Sequence, residues 1–233
     1  MRRCEAIRFP VCTGPRAMPG EQEGVVKFEL RFTPAPPAAP DWVRELSAWR
    51  RILHLTGLVG RDPQRYGGVG YGNVSRRLPA AHAGAQPRFL ISGTQTGHLP
   101  VLDAGHYATV LACHPEGNRI VAEGPVHPSS EAMTHGVLYA LDEAVQYVMH
   151  VHSPEIWRHA RALGLPATPA DVTYGTPAMA EAVRRLLRDG PARERGIFAM
   201  AGHEDGIIAF GRSAEEAGQI LLRHLARAFR LEG

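Results

Sequence analysis

The chain has only three cysteines in 233 residues, and Cys4, Cys12 and Cys113 show no paired spacing. Neither a disulfide framework nor a cysteine zinc site is implied, and a reducing cytoplasm is the expected compartment. No stretch approaches the roughly 18 to 20 consecutive apolar residues of a membrane span, and the amino terminus lacks the apolar core of a secretory signal. No membrane partner is therefore expected. Charge of one sign is also scarce. The formal net charge is +3, and the arginines are spread along the chain, so no nucleic-acid surface is predicted. Four glycines crowd positions 67, 68, 70 and 72, but no Gly-Lys-Ser/Thr follows them, which excludes a Walker phosphate loop. There is no internal repeat.

What is present suits one large α/β domain: 44% hydrophobic and 21% charged residues can bury a substantial core. Residues 1–40 read as a flexible extension, with Met18 as an alternative start. Within it, residues 25–32 alternate polar and apolar like an edge strand, and residues 33–40 form a proline-rich spacer. The domain proper is placed at residues 41–233. Asp41 reads as the N-cap of a helix with Trp42, Leu46, Trp49, Ile52 and Leu53 on its apolar face. Strands are expected at 88–91, 107–112, 119–122, 145–152, 196–201 and 207–210. Helices are expected at 128–141, capped by Ser129 or Ser130, at 154–163, at 176–187 and after Ser213. The last carries a capping box, Ser213 with Glu216, and an inward face of Ala217, Ile220, Leu221, Leu225 and Phe229.

His150-Val151-His152 closes an apolar run. Side chains repeat every two residues along a strand, so both imidazoles leave the same face, close enough to share a metal ion. A catalytic zinc takes three protein ligands and keeps a fourth position open. Among the twelve histidines, His203 stands out as a third ligand because it sits in the glycine-flanked turn Gly202-His203-Glu204-Asp205-Gly206. Alone, the pair is equally an ordinary pair of strand histidines.

Taken together, Gly72-Asn73-Val74-Ser75-Arg76, Pro128-Ser129-Ser130-Glu131 with His135, His150-Val151-His152-Ser153, the His203 turn and Ser213-x-Glu215-Glu216-Ala217 resemble the class II aldolase/adducin family. The resemblance runs from about Trp42 to Phe229. It implies a single α/β/α domain with a central, mainly antiparallel sheet, and a homotetramer with active sites at subunit boundaries. It also implies a metal centre, Zn2+ or another divalent ion, held by His150, His152 and His203. Glu131 is then the proton-transfer carboxylate. Asn73, Thr94, Thr96, Gly97, Ser129 and Ser130 match positions that hold a substrate phosphate, and Asp171 and Tyr174 fall where relatives keep a further catalytic acid or tyrosine. The expected function is a zinc-dependent lyase or isomerase of a small hydroxy-carbonyl compound, a sugar or sugar phosphate, working through a metal-stabilised enediolate. Aldol cleavage is favoured over epimerisation. A dehydratase is the less favoured relative, since no glutamate lies between Glu155 and Glu181, and a non-catalytic adducin-like interaction module is the alternative from another class.

Overall fold

The computed structural model describes residues 27–188 and 190–232. Of the expected extension 1–40, residues 1–26, which include the first two of the predicted edge strand, lie outside the described residues, whereas residues 29–34 pair with residues 119–124 and are ordered as a strand. Among the described residues ten strands alternate with six helices: β1 (Glu29–Pro34), α1 (Pro40–Leu55), β2 (Gly60–Arg61), β3 (Gly70–Tyr71), β4 (Asn73–Arg77), β5 (Phe89–Ser92), β6 (Tyr107–His114), β7 (Arg119–Gly124), α2 (Ala132–Leu141), β8 (Tyr147–His152), α3 (Pro154–Arg158), α4 (Pro177–Arg188), α5 (Pro191–Arg195), β9 (Ile197–Ala199), β10 (Gly206–Gly211) and α6 (Ala214–Glu232). Eight strands form one sheet in the order β1-β7-β6-β5-β4-β8-β10-β9, with β2 and β3 paired separately. In that sheet β1 and β7 run parallel, and the other neighbouring strands are antiparallel.

The two-residue period of the strands builds two cores, one on each face. On β8, Tyr147, Met149 and Val151 join Leu46 and Leu53 of α1, Ile156 of α3 and Leu221 of α6. Val148 faces the other way, toward Met133 and Val137 of α2 and Met179 and Val183 of α4. His150 and His152 share the parity of Val148. The result is an α/β/α sandwich in which β8 is buried on both faces, as its nearly continuous apolar sequence requires.

Several local expectations change. Ala39 is the N-cap of α1 with Pro40 in its first turn, and Asp41 bonds Arg44 instead at 2.6 Å. Arg50 is buried on this helix, whereas Ile52 sits at the surface. The helix after Pro154 ends at Arg158 and continues as turns to Gly164, and a short helix that no expectation covered, α5, follows α4. On α6 the small residues Gly218 and Ala228 face inward and Phe229 outward. A side chain at Gly218 would run into the Trp49 indole, so α1 and α6 approach closely only because that position is bare. The Ser213 capping box closes one residue early: Glu216 donates its N–H to Ser213 Oγ at 3.0 Å, and its carboxylate accepts the Arg212 N–H at 2.7 Å.

Candidate metal centre

Register sets the site. His150 and His152 leave the α2 side of β8, and Asn73 of β4 is the register partner of His150. His203 comes from the tight turn between β9 and β10, closed by the bonds His203 N–H to Met200 O at 3.0 Å and Gly206 N–H to His203 O at 2.9 Å. A side chain at Gly206 would meet the His203 ring, and one at Gly202 would collide with the Val172 carbonyl. Both glycines are therefore required for the ring to lie where it does.

The three imidazoles have ring centroids 4.7 to 5.2 Å apart. One ring nitrogen from each lies within 4.8 Å of the others, a cluster that could hold a metal ion. Glu131, the residue that opens α2, places Oε1 3.7 Å from His203 Nε2. That oxygen is buried without a hydrogen-bond partner, as is Nδ1 of His152. Buried polar atoms are nearly always paired, so two orphans on residues lining one cavity fit a cation as the missing partner. The Nδ1–H of His150 donates to the Ile207 carbonyl at 3.3 Å, leaving its other nitrogen free to ligate.

Burial also sets the protonation states. It pushes His150 and His152 well below the ordinary 6.5, reinforced by the neighbouring imidazoles. His203 falls to about 4, through burial first and then the charge of Lys27. Neutral imidazole is the ligating form. Glu131 is pushed up to about 7 because burial outweighs the Thr134 hydrogen bond and the Lys27 charge, both of which favour ionisation. Deeper still, His135 is lowered to about 3 by burial, and its Nδ1 meets Ser75 Oγ, which also bonds Tyr139 Oη, each at 2.7 Å. His135, Ser75 and Tyr139 thus form a buried network, in which His135 Nε2 alone has no hydrogen-bond partner.

Metal-free protein is expected to lose stability as pH falls from 6.5 toward 4. In that window the unfolded imidazoles take up protons, whereas folded His203, His135, His150 and His152 do not, so unfolding is favoured. Glu131 opposes this, because its raised value makes its contribution fullest below 4.5 and lost by about 7. It is one group against four, at about 1.4 kcal/mol per pH unit for each proton. Calorimetric midpoints measured after chelation check this; a flat profile between pH 6.5 and 4.5 contradicts it.

A cavity of about 260 Å³ opens onto the imidazoles and Glu131. It brings together Asn73, Thr94, Thr96, Gly97, Ser129 and Ser130, and Tyr174 lines it with its ring 4.3 Å from that of His203. Ser129 does not cap α2 at its formal N-cap, which is Glu131; its hydroxyl accepts the Glu131 N–H at 3.3 Å, holding the carboxylate-bearing residue itself. The Thr96 hydroxyl donates to Gly93 O at 2.8 Å and so shapes its own loop. Asp171 is exposed and stands outside the lining.

Some site residues have no signal in a one-dimensional pattern. Arg50 is 1% exposed and donates to the carbonyls of Thr96 and Gly97, both at 2.9 Å, and of Leu99, pinning the loop at 93–99. Gln95 accepts the Gly70 N–H at 3.2 Å, and Gly97 packs so tightly on Gly60 O that no Cβ fits. Tyr66 and Tyr71 line the cavity against His152, and the Lys27 ammonium lies 3.7 Å over the Tyr174 ring. The glycine cluster marks the 67–72 segment as one of close approach; the tyrosines beside it carry no comparable signal.

The sandwich, its mainly antiparallel sheet and the imidazole cluster at one end define a protein of the class II aldolase type. The chain belongs to the Class II Aldolase and Adducin N-terminal domain family, whose sequence model matches residues 64–231. Among solved structures it is similar to L-fuculose-1-phosphate aldolase from Thermus thermophilus, with 17% identity, TM-score 0.59, and 82% of this chain and 92% of that one covered. It is also similar to sugar-phosphate aldolase from Thermotoga maritima, with 16% identity, TM-score 0.56 and coverages of 82% and 94%. YgbL from Escherichia coli, whose reaction is given only as aldolase, epimerase or decarboxylase, matches at 19% identity, TM-score 0.58 and coverages of 81% and 87%. At these identities the likeness is one of fold. No curated protein matches the sequence significantly.

Proposed function

We propose that the chain is a metal-dependent lyase or isomerase of a small hydroxy-carbonyl compound, a sugar or sugar phosphate, with aldol cleavage ahead of epimerisation. The observation that carries this is the convergence of three neutral imidazoles and the unpaired carboxylate of Glu131 on one cavity. Likeness to two structures named as sugar-phosphate aldolases supports carbon–carbon cleavage.

His150, His152 and His203 would hold the ion, zinc or another divalent metal; bound there, it would polarise the substrate carbonyl. Cleavage removes a proton from the β-hydroxyl and returns one to the α-carbon. Glu131, raised to about 7, is suited to give and take the second of these near neutral pH. The first also goes to Glu131, while Tyr174, held above its ordinary value of 10 by burial and the Glu131 charge, lines the cavity as a neutral hydrogen-bond donor to the substrate oxygen; Asp171, exposed, takes no part within one chain. Asn73, Thr94, Gly97, Ser129 and Ser130 would bind the polar end of the substrate, where the start of α2 favours an anion. Thr96 supports that loop from behind. A cytoplasmic homotetramer, with residues 41–233 as the family domain behind an extension that supplies the edge strand β1, completes the reading.

The test is metal analysis of the purified protein, with about one ion per chain expected, joined to a panel of hydroxy ketones and their phosphates. Aldehyde release is trapped by coupled reduction and epimers are followed by NMR. Metal-free protein that turns over none of the panel after reconstitution would sink the proposal.

A further inference from the structure

Two bulky or charged residues near the imidazoles occupy left-handed backbone, Tyr66 at φ 52 and Asp205 at φ 59. A tyrosine adopts that conformation only where its surroundings hold it. Here the two strained residues hold each other. The Tyr66 hydroxyl donates to Asp205 Oδ2 at 2.6 Å, and Arg65 Nη2 donates to the Tyr66 oxygen and, at 3.3 Å, to the same carboxylate oxygen. The Asp205 backbone carbonyl also accepts the Ser153 N–H at 2.9 Å. One residue therefore joins the segment before β4, the end of β8 just past His152, and the turn that carries His203. On the cavity side, the Tyr66 ring stands edge-on to His152 with centroids 4.5 Å apart, and Tyr71 packs on both rings. The Arg65 guanidinium covers the outer side of the group, 4.8 Å from the Tyr66 centroid.

We propose that Arg65, Tyr66 and Asp205 form a latch that positions His152 and His203 as a ligand pair, with Tyr66 a positioning residue and not an acid. The inference rests on reading the imidazole cluster as a metal site. Tyr66 has given its proton to the bond with Asp205 and accepts one from Arg65, so its ring is what it offers the cavity. The physical need is plain. One imidazole stands at a strand end and the other in a tight return between strands, and they converge only while those two segments keep their spacing.

Cobalt titration of the metal-free full-length chain tests the latch, read as affinity and as the visible spectrum of the bound ion. Tyr66→Phe and Asp205→Ala are each expected to weaken Co2+ binding about tenfold and to change the spectrum. Asp205→Asn should recover part of the loss, because an amide oxygen still accepts the Tyr66 proton. The Tyr66→Phe, Asp205→Ala double variant should lose no more than the worse single one, since both cut the same bond. If Tyr66→Phe lowers the thermal midpoint of the metal-free chain, Arg65→Met supplies the same readout from a half-buried position. Wild-type affinity and spectrum in these variants, or additive losses, would overturn the latch. A wild-type chain that takes up no cobalt would instead overturn the metal reading beneath it, and the latch with it.

Discussion

Glu131→Gln is expected to lower kcat by roughly 100- to 10,000-fold, the range for loss of a positioned proton-transfer group, with the fold intact. The substitution keeps shape and volume. It keeps an acceptor for the Thr134 hydroxyl, which bonds Glu131 Oε2 at 3.2 Å. It also removes an ionisable group that is only 2% exposed and whose value is pushed up to about 7 by burial. A buried carboxylate that must ionise costs stability above its folded pKa, so the variant should melt no lower than wild type at pH 8. The decisive measurement is kcat beside the thermal midpoint and the metal content. A variant that keeps more than a tenth of wild-type turnover would remove Glu131 from the chemistry.

His152→Ala is expected to empty the centre. A structural zinc site is worth about 10–16 kcal/mol shared over four ligands, so one imidazole accounts for about 2.5–4 kcal/mol, or roughly 60- to 700-fold in affinity. The loss should be larger here than for a surface histidine, because His152 also anchors the rings of Tyr66 and Tyr71. Metal content after dialysis and turnover should fall together, and excess metal should restore part of the activity. His224→Ala is the control: its Nδ1 bonds the Ile220 carbonyl at 2.8 Å in α6, far from the cluster in sequence and role. Equal metal content in His152→Ala and wild type would contradict the assignment.

Element types were largely legible because local signals agreed with the global packing. The apolar runs of β8 and β10, the alternation along β7 and the Ser213 cap all state their structure within a few residues. The misreadings have one origin. On α1 the apolar period places Ile52 inside and carries no signal for Arg50, but the helix turns Arg50 toward three carbonyls of a loop more than forty residues away and leaves Ile52 at the surface. On α6, Phe229 fits an apolar period, yet the close approach of α1 demands Gly218 and Ala228 on the inner face and leaves the ring outside. Neither partner is visible from the helix alone.

The same division runs through the site. By itself the sequence determined that His150 and His152 share a face, because a strand repeats every two residues, and that a glycine-flanked His203 could stand apart from regular structure. It also determined that Glu131 opens a helix. Only the tertiary structure decided that these four meet, since antiparallel pairing of β8 with β10 brings residue 152 opposite residue 206 and so returns the His203 turn to the histidine pair. It alone decided that the carboxylate lies buried and unpaired beside them, and that Tyr66 and Asp205, 139 positions apart, bond across the strand end. Such contacts depend on register between distant segments, and a one-residue slip of β8 would turn His150 and His152 to the other face, away from the rest.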